Sequence, residues 1–444
     1  MPQTQSQKLF TVHYLLTVSS TIPFMNASLP SYDEAAAIVA KRAAELARHP
    51  TTERIELEDT SGRVLAHSLN ADRDQPPFPR STRDGFACRA KEAAAHRLLT
   101  VAGSIHAGQP PAGPLPKGAT WEIMTGAAVP SGADAVVMLE HVEQEGKAIR
   151  LGAGRSLETG ENIVPQGAEA KAGEEILPAG RRLGPQHIAL AAACGHPTVE
   201  VFRRPRVAIL TTGDELVPVG TVPGPGQIRN SNGVMLAVLV AQAGGEPWIL
   251  PTAGDTDCAL DEALQLAKSA DMLLITGGVS AGRFDLVEPA LARLGAHFHF
   301  TGVRIQPGKP LVFGEVPGTA APTPGQFAGR LPFFGLPGNP ISSAVTFLLF
   351  GSPILAALAG SLPHSPSFAL ARVAKDIKGR PDLTRFVPSF CDFNPGAAEE
   401  PVAKTVPSQG SGDLVSFSRS NCFLVVPEGT DRLRKGKVVH ILLH

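Results

Sequence analysis

Acidic residues recur just beyond apolar runs in the second half of the chain. Asp214 and Glu215 follow residues 207–211, Asp255 follows residues 247–250, and Asp285 lies past residues 272–276. Each run is short and apolar enough for a buried strand. Ligands of open parallel sheets sit outside the carboxyl ends of the strands, so these acids are expected to share one rim. Carboxylate oxygens on loops suit Mg2+ beside phosphate, because the ion keeps several waters and takes only one or two carboxylates. A structural reading competes at Asp285, since an aspartate directly before a helix is a common N-cap.

Glycines and a lysine add groups suited to anions. The loop Gly277-Gly278-Val279-Ser280-Ala281-Gly282 leads from a strand to a helix, and backbone N–H groups in that setting cradle anionic oxygens. Lys309 sits in Pro307-Gly308-Lys309-Pro310. Pro310 stands where a Walker loop needs Ser or Thr, so Lys309 reads as an oxyanion contact outside a P-loop. In Leu336-Pro337-Gly338-Asn339-Pro340, Asn339 suits a helix N-cap and Pro340 the first helical position. Gly278 to Gly282 also matches G-x-S-x-G, the nucleophile elbow of α/β-hydrolases, with Ser280 as nucleophile. His297, His299, His364 and His440 follow it, but no HGGG-type oxyanion loop precedes it. A serine hydrolase is therefore the second reading, and a non-catalytic cofactor-binding scaffold the third.

These residues need elements to hold them. Beyond residue 205, strands and helices alternate with short loops, which implies a mostly parallel, doubly wound sheet over residues 205–359. Residues 53–164 break into short β-like runs between turns and read as a β-rich insertion domain. Residues 28–52 and 165–204 are helical in texture, the first opening after Ser31 as an N-cap. They read as one discontinuous helical domain split by the insertion. Residues 360–444 return to β texture and end in CFLVVPEG and GKVVHILL, as a small C-terminal β-barrel would. The expected fold class is α/β plus β: a central doubly wound α/β domain, a β-rich insertion domain, a helical linker domain and a barrel.

The chain has 444 residues, 43% of them hydrophobic and 18% charged, the make-up of a globular protein of several domains. A formal net charge of -1 gives no global field toward nucleic acid or an acidic membrane, so anionic ligands must be held locally. The five cysteines are scattered without a C-x-x-C pair, which fits a reducing compartment and gives no zinc site. Residues 9–24 are mildly apolar but interrupted by polar residues. They read as an extension, or as sequence ahead of a true start at Met25, rather than as a cleaved signal. They are too polar for a membrane span, and no later stretch reads as one. The expected location is the cytoplasm.

In order along the chain, these segments resemble the molybdopterin molybdenumtransferase family (MoeA, and the E domain of gephyrin). Pro76-Pro77-Phe78 through Ser81-Thr82-Arg83-Asp84-Gly85-Phe86-Ala87 resembles the family's P-P-F…S-A-M-D-G-Y-A. Ile123-Met124-Thr125-Gly126-Ala127 and Pro130 to Val137 resemble its I-M-T-G-A…P-x-G-A-D-A-V-V. Thr212 to Leu216, Gln227-Ile228 with Ser231-Asn232, Gly277 to Ser280 with Asp285, P-G-K-P, L-P-G-N-P and Gly410 to Leu414 follow. The resemblance spans about Ser31 to His444.

It implies binding of adenylylated molybdopterin, hydrolysis of its phosphoanhydride, and entry of molybdate into the dithiolene with release of AMP. By resemblance Glu215, Asp255 and Asp285 surround Mg2+ and phosphate. Asp84 and Thr125 contribute from the insertion, and Lys309 and Asn339 lie beside the substrate. Gly277, Gly278, Ser280, Pro337 and Pro340 complete the expected substrate-binding set. The resemblance further implies a homodimer with a site shared between subunits, and a molybdopterin adenylyltransferase as protein partner. Departures from the pattern are Thr82, Arg83, Phe86, Asn162 and Gln306, the last standing where a lysine often precedes P-G-K-P.

Overall fold

The computed structural model describes residues 29–47, 51–109, 113–278, 286–318, 329–361, 365–393 and 400–444. Six strands build the central sheet: β1 (Arg206–Thr211), β2 (Glu246–Ile249), β3 (Met272–Thr276), β4 (His297–Thr301), β5 (Val312–Pro317) and β6 (Arg330–Leu336). Their order is β2-β1-β3-β6-β5-β4. The first four run parallel, and β5 and β4 extend one side antiparallel. The chain leaves β1 for β2 on one side and returns to β3 on the other, so the winding reverses between β1 and β3. Side chains alternate across a sheet with a period of two. Val207, Ile209, Met272, Leu274 and Phe334 enter one apolar core; Ala208, Leu210, Leu273, Ile275 and Phe333 enter the other.

The first core is closed by α1 (Tyr32–Leu46). Its capping box is formed by Ser31 N–H donating to Glu34 Oε2 at 2.7 Å and Glu34 N–H donating to Ser31 Oγ at 3.2 Å. Ala35, Val39, Ala43 and Leu46 then share one face and are buried with Val207, Leu236 and Leu355. Arg42 on the same helix donates to the buried Glu315 carboxylate of β5. α1 therefore packs with the α/β core and not with residues 165–204. That second stretch finds its partners in strand pairs instead. Thr52–Glu56 runs antiparallel to Thr198–Phe202, and Leu69–Asn70 to Glu175–Leu177, round Leu65, Leu183 and Val201. Only Pro185–Ala193 is helical there among the described residues. Ladders this short carry too little periodicity to show in sequence, whereas the alanine-rich helix beside them does.

Inside the insertion a six-stranded sheet runs Ala135–Met138, Gly85–Cys88, Ala119–Ile123, Leu99–Ile105, Ala148–Leu151, Val142–Glu145. The C-terminal strands Thr384–Cys391, Val402–Thr405, Phe368–Val373, Val438–Leu443 and Cys422–Val426 pair in that order, and the last pairs back to the first. Closure of this five-stranded barrel removes free edges. Ile305–Gln306 from the α/β domain adds in parallel to Thr384–Cys391, which sets Gln306 opposite Arg385.

Pro340–Leu358 is one apolar helix of 19 residues with mean hydropathy 1.9. It is long and apolar enough to cross a membrane, contrary to the sequence reading, but 83% of its apolar window is buried inside the molecule. A helix apolar on all sides in this setting is a core helix.

The packing of α1 leads to a stability prediction. Val39→Asp places an unpaired charge in the α/β core and should lower global stability by several kcal/mol. The same change at exposed Ala37 should stay within about 0.5 kcal/mol. Denaturant unfolding of both variants checks this, and equal stabilities would place α1 outside the core.

Candidate functional site

β1, β3 and β6 end side by side at Thr211, Thr276 and Leu336. The loops beyond them meet where the winding reverses, the ligand position of open α/β sheets. A cavity of about 410 Å³ opens there, with Glu215, Asn232, Gly277, Gly338, Asn339 and Pro340 in its walls. The turn after β3 depends on glycine. Gly277 has φ +96°, and a Cβ would come within 2.4 Å of the Thr212 carbonyl oxygen. Gly278 follows at φ +60°. Ser280 and Asp285 lie outside the described residues, so the structure assigns them no place.

The acids after β1 and β2 are brought together. A parallel bridge joins Thr212 to Ala253. Asp255 N–H then donates to Asp214 Oδ1 at 3.0 Å, and Asp214 N–H to Asp255 Oδ2 at 3.4 Å. Glu215 edges the cavity and is exposed. Hard carboxylate oxygens of this kind fit Mg2+. Among the described residues no three His, Cys, Asp or Glu side chains are grouped to hold a metal ion. Of the expected trio, Glu215 and Asp255 are described and Asp285 is not.

A second cavity of about 610 Å³ lies between the α/β domain and the barrel. Lys309, Lys375, Lys378 and Arg385 line it. None of them forms a salt bridge among the described residues, and the only acid in the lining, Asp376, is held by Arg432 at 3.0 Å and Arg434 at 3.2 Å. Burial, and then the nearby Arg380, push the Arg385 guanidinium below its usual pKa. Its Nε and the Oε1 of Gln306 are buried without partners among the described residues. Such groups cost about 1–3 kcal/mol each until satisfied. Pro337 and Asn339 line this cavity too, so Asn339 walls both cavities. Asn339 occupies the N-cap position of the helix after β6, with Pro340 at its start, yet its side chain makes no capping hydrogen bond. The cap reading does not use this side chain.

Asp84 and Thr125 meet each other in the insertion. Thr125 donates to Asp84 Oδ1 through its N–H at 2.6 Å and its Oγ1 at 2.9 Å. Gly126 N–H holds the turn to the Ser81 carbonyl oxygen at 2.8 Å. The two Thr125 bonds hold the Asp84 carboxyl below the usual carboxylate range. Both residues are exposed, and these side-chain bonds tie them to each other, not to the rim.

Sequence reasoning missed Asn232, Thr276, Arg385, Lys375 and Lys378 as site residues. Ser231-Asn232 was visible as a motif, but an uncharged amide gave no sign of its bonds. Arg385 sits within a barrel strand, where no local pattern marks it. The histidines that the hydrolase reading needs are poorly placed. His297 and His299 lie on β4, at the edge of the sheet and two strands from β6, and His440 lies in the barrel.

Family profiles match most of the chain. The one described as "MoeA N-terminal region (domain I and II)" matches residues 30–195. "Probable molybdopterin binding domain" matches residues 208–357, and "MoeA C-terminal region (domain IV)" residues 370–444. The chain is 35% identical over 421 residues to a molybdopterin molybdenumtransferase of Nostoc sp., covering 93% of this chain and 94% of the relative. It is 35% identical over 413 residues to one of Bacillus subtilis, covering 91% and 92%. Among solved structures it is similar to a molybdopterin biosynthesis moeA protein of Pyrococcus horikoshii, with TM-score 0.77, 30% identity, and coverage of 94% of this chain and 100% of that one. These names do not favour the Ser280 hydrolase reading.

The Asp84–Thr125 pair gives a pH prediction. Because its hydrogen bonds depress the folded pKa of Asp84, their contribution is present above the ordinary carboxylate range and is lost as pH falls through the folded value. Thr125→Val removes the Oγ1 donor and should move the Asp84 titration upward, read by NMR of the carboxyl carbon. An unshifted titration would show that the hydroxyl bond does not form.

Proposed function

Because the chain belongs to the molybdopterin molybdenumtransferase family and is a transferase of molybdenum cofactor biosynthesis, we propose that it inserts molybdenum into adenylylated molybdopterin, taking up molybdate and releasing AMP. The observation that carries this reading is Asn339, which walls two cavities. One is edged by Glu215 and Arg229, with the Asp214–Asp255 pair near the same rim. The other is lined by unpaired cations.

A doubly charged oxyanion must approach an anionic dithiolene and a phosphoanhydride, and their repulsion opposes the encounter. Exposed Lys309 and half-buried Arg385 offset it on the oxyanion side, the second in a setting where charge is less screened. The backbone at Gly277-Gly278 and Asn339 positions the other reactant, and holding the two together removes much of the entropic barrier. Glu215 and Asp255, with Asp285, would hold Mg2+, which when bound neutralises phosphate charge. Water adds to one phosphorus of the phosphoanhydride, the P–O–P bond breaks, and AMP and the molybdopterin phosphate separate, each taking one of water's hydrogens or releasing it to solvent. The substrate is handed on by a molybdopterin adenylyltransferase in the cytoplasm, a location that suits five free cysteines, four of them buried.

Incubation with adenylylated molybdopterin, Mg2+ and molybdate, following AMP release and molybdenum retention, tests the reading. The helix at Val287–Arg293 has Leu286 at its N-cap position and no side-chain cap, so Asp285→Asn removes a charge and no cap, and should abolish turnover with little loss of stability. Wild-type AMP release by this variant would sink the metal role.

We further propose a homodimer with shared sites. The helix Ser231–Gln242 carries no charged residue and exposes Val234 and Val238 one turn apart, an apolar face suited to a second copy. Asp84 and Thr125 would reach the partner's rim across that assembly. Asp84→Ala and Asp285→Ala homodimers should each be inactive. A mixed dimer carries one doubly damaged site and one intact site, and should regain up to about half of wild-type activity if the sites act independently. No recovery in the doubly tagged heterodimer refutes the shared site.

A further inference from the structure

The turn that carries Asn339 is pinned from three directions by uncharged side chains. Ser343 Oγ, from the helix after the turn, donates to the Pro337 carbonyl oxygen. Thr276 Oγ1, from the end of β3, reaches the same carbonyl oxygen at 3.3 Å and Ser343 Oγ at 3.1 Å. Asn232 Nδ2, from the first turn of the neighbouring helix, donates to the Gly338 carbonyl oxygen at 2.7 Å and to Thr276 Oγ1 at 3.0 Å. Thr276 and Ser343 are buried. The Gly338 carbonyl can only accept, so the amide of Asn232 must present its nitrogen end. Its Oδ1 is left buried and without a partner among the described residues. Side chains of three elements thus meet two consecutive carbonyl groups, immediately before the one residue that walls both cavities.

We propose that Asn232, Thr276 and Ser343 are positioning residues for the transfer: they turn the Pro337 and Gly338 carbonyls inward and thereby fix Asn339 on the wall where the two reactants meet. The proposal rests on the functional reading above, which puts one reactant in each cavity. With both carbonyls held inward, the peptide has one orientation, and the Asn339 side chain is free of capping duty. Charge plays no part in this device, so it acts on the geometry of approach and not on the affinity of either cavity. Misplacing a reactant by about 1 Å costs on the order of 100-fold in rate.

The test separates donor loss from volume loss. Asn232→Asp keeps the shape and removes the donor, and its carboxylate, in the wall of a cavity for an anionic reactant, raises KM as well. Thr276→Val keeps the branched shape and removes the hydroxyl, and Thr276→Ser keeps the hydroxyl. Asn232→Asp should lower kcat for AMP release about 100-fold, and Thr276→Val at least about tenfold. In Thr276→Val, KM for adenylylated molybdopterin and molybdate affinity by equilibrium dialysis should both stay within about twofold. Thr276→Ser should recover at least about half of the wild-type kcat. Independently of turnover, hydrogen exchange of the Gly338 and Asn339 amides should quicken in Asn232→Asp and Thr276→Val.

Wild-type kcat in Asn232→Asp, a loss confined to KM in Thr276→Val, or equal impairment of Thr276→Ser and Thr276→Val would each overturn the proposal. If Asn232→Asp does not fold, the Thr276 pair decides. Wild-type protein that releases no AMP overturns the functional reading instead. The exchange measurement then still decides whether the pinning exists: unchanged exchange in both variants refutes it.

Discussion

Parallel pairing of β1, β3 and β6 is the constraint from which the site follows. Parallel strands need crossover connections, so the loops at their carboxyl ends gather at one rim while the returning helices cover the faces. Beyond the last ladder bond, each chain leaves peptide groups that no neighbouring strand can satisfy. An unsatisfied buried carbonyl costs about 1–3 kcal/mol, so side chains from adjacent elements take over: Ser343 and Thr276 on Pro337, Asn232 on Gly338. Holding this rim rigid and satisfying its backbone are therefore one and the same requirement.

The same logic explains what the sequence could show. The strands were legible because apolar runs ended at Gly, Asp and Pro, and Ser31 because a cap followed by Glu34 is a local signature. Local signals also placed Asp214, Asp255 and Glu215 at a rim. The home of α1 was not legible, since its buried face meets residues far along the chain, such as Leu236 and Leu355, and an amphipathic face does not name its partner. Arg385 was hidden for a related reason. Its importance comes from the cavity between barrel and sheet, and no motif within a barrel strand encodes an interface. Asn339 shows a subtler limit. Its position reads as a cap, and only the structure shows that its side chain makes no capping bond.

A net charge of -1 conceals local charge. Glu215 and Arg229 line one of the cavities that Asn339 walls, and Lys309, Lys375, Lys378 and Arg385 line the other. Whole-chain charge governs solubility and long-range steering, but a bound ion feels groups within about a Debye length, roughly 8–10 Å. The chain is therefore near neutral at a distance and locally cationic in the cavity between the α/β domain and the barrel.

Dependence on a domain interface follows from this arrangement. The cationic cavity exists only while the barrel is docked, and docking is held by backbone ties: Ile305–Gln306 pairs with the barrel strand Thr384–Cys391, and Ile341 N–H donates to the Ser411 carbonyl oxygen at 3.0 Å. The first of these ties sets Gln306 opposite Arg385. A lysine at 306, as the family pattern often has, would place two cations at paired positions in a half-buried strand contact. Gln306 relieves that repulsion and leaves Arg385 to carry the charge, at a site where burial already disfavours its charged form. The cations of this cavity come from both domains, Lys309 from the α/β domain and Lys375, Lys378 and Arg385 from the barrel, so the cationic lining depends on the docking of the barrel.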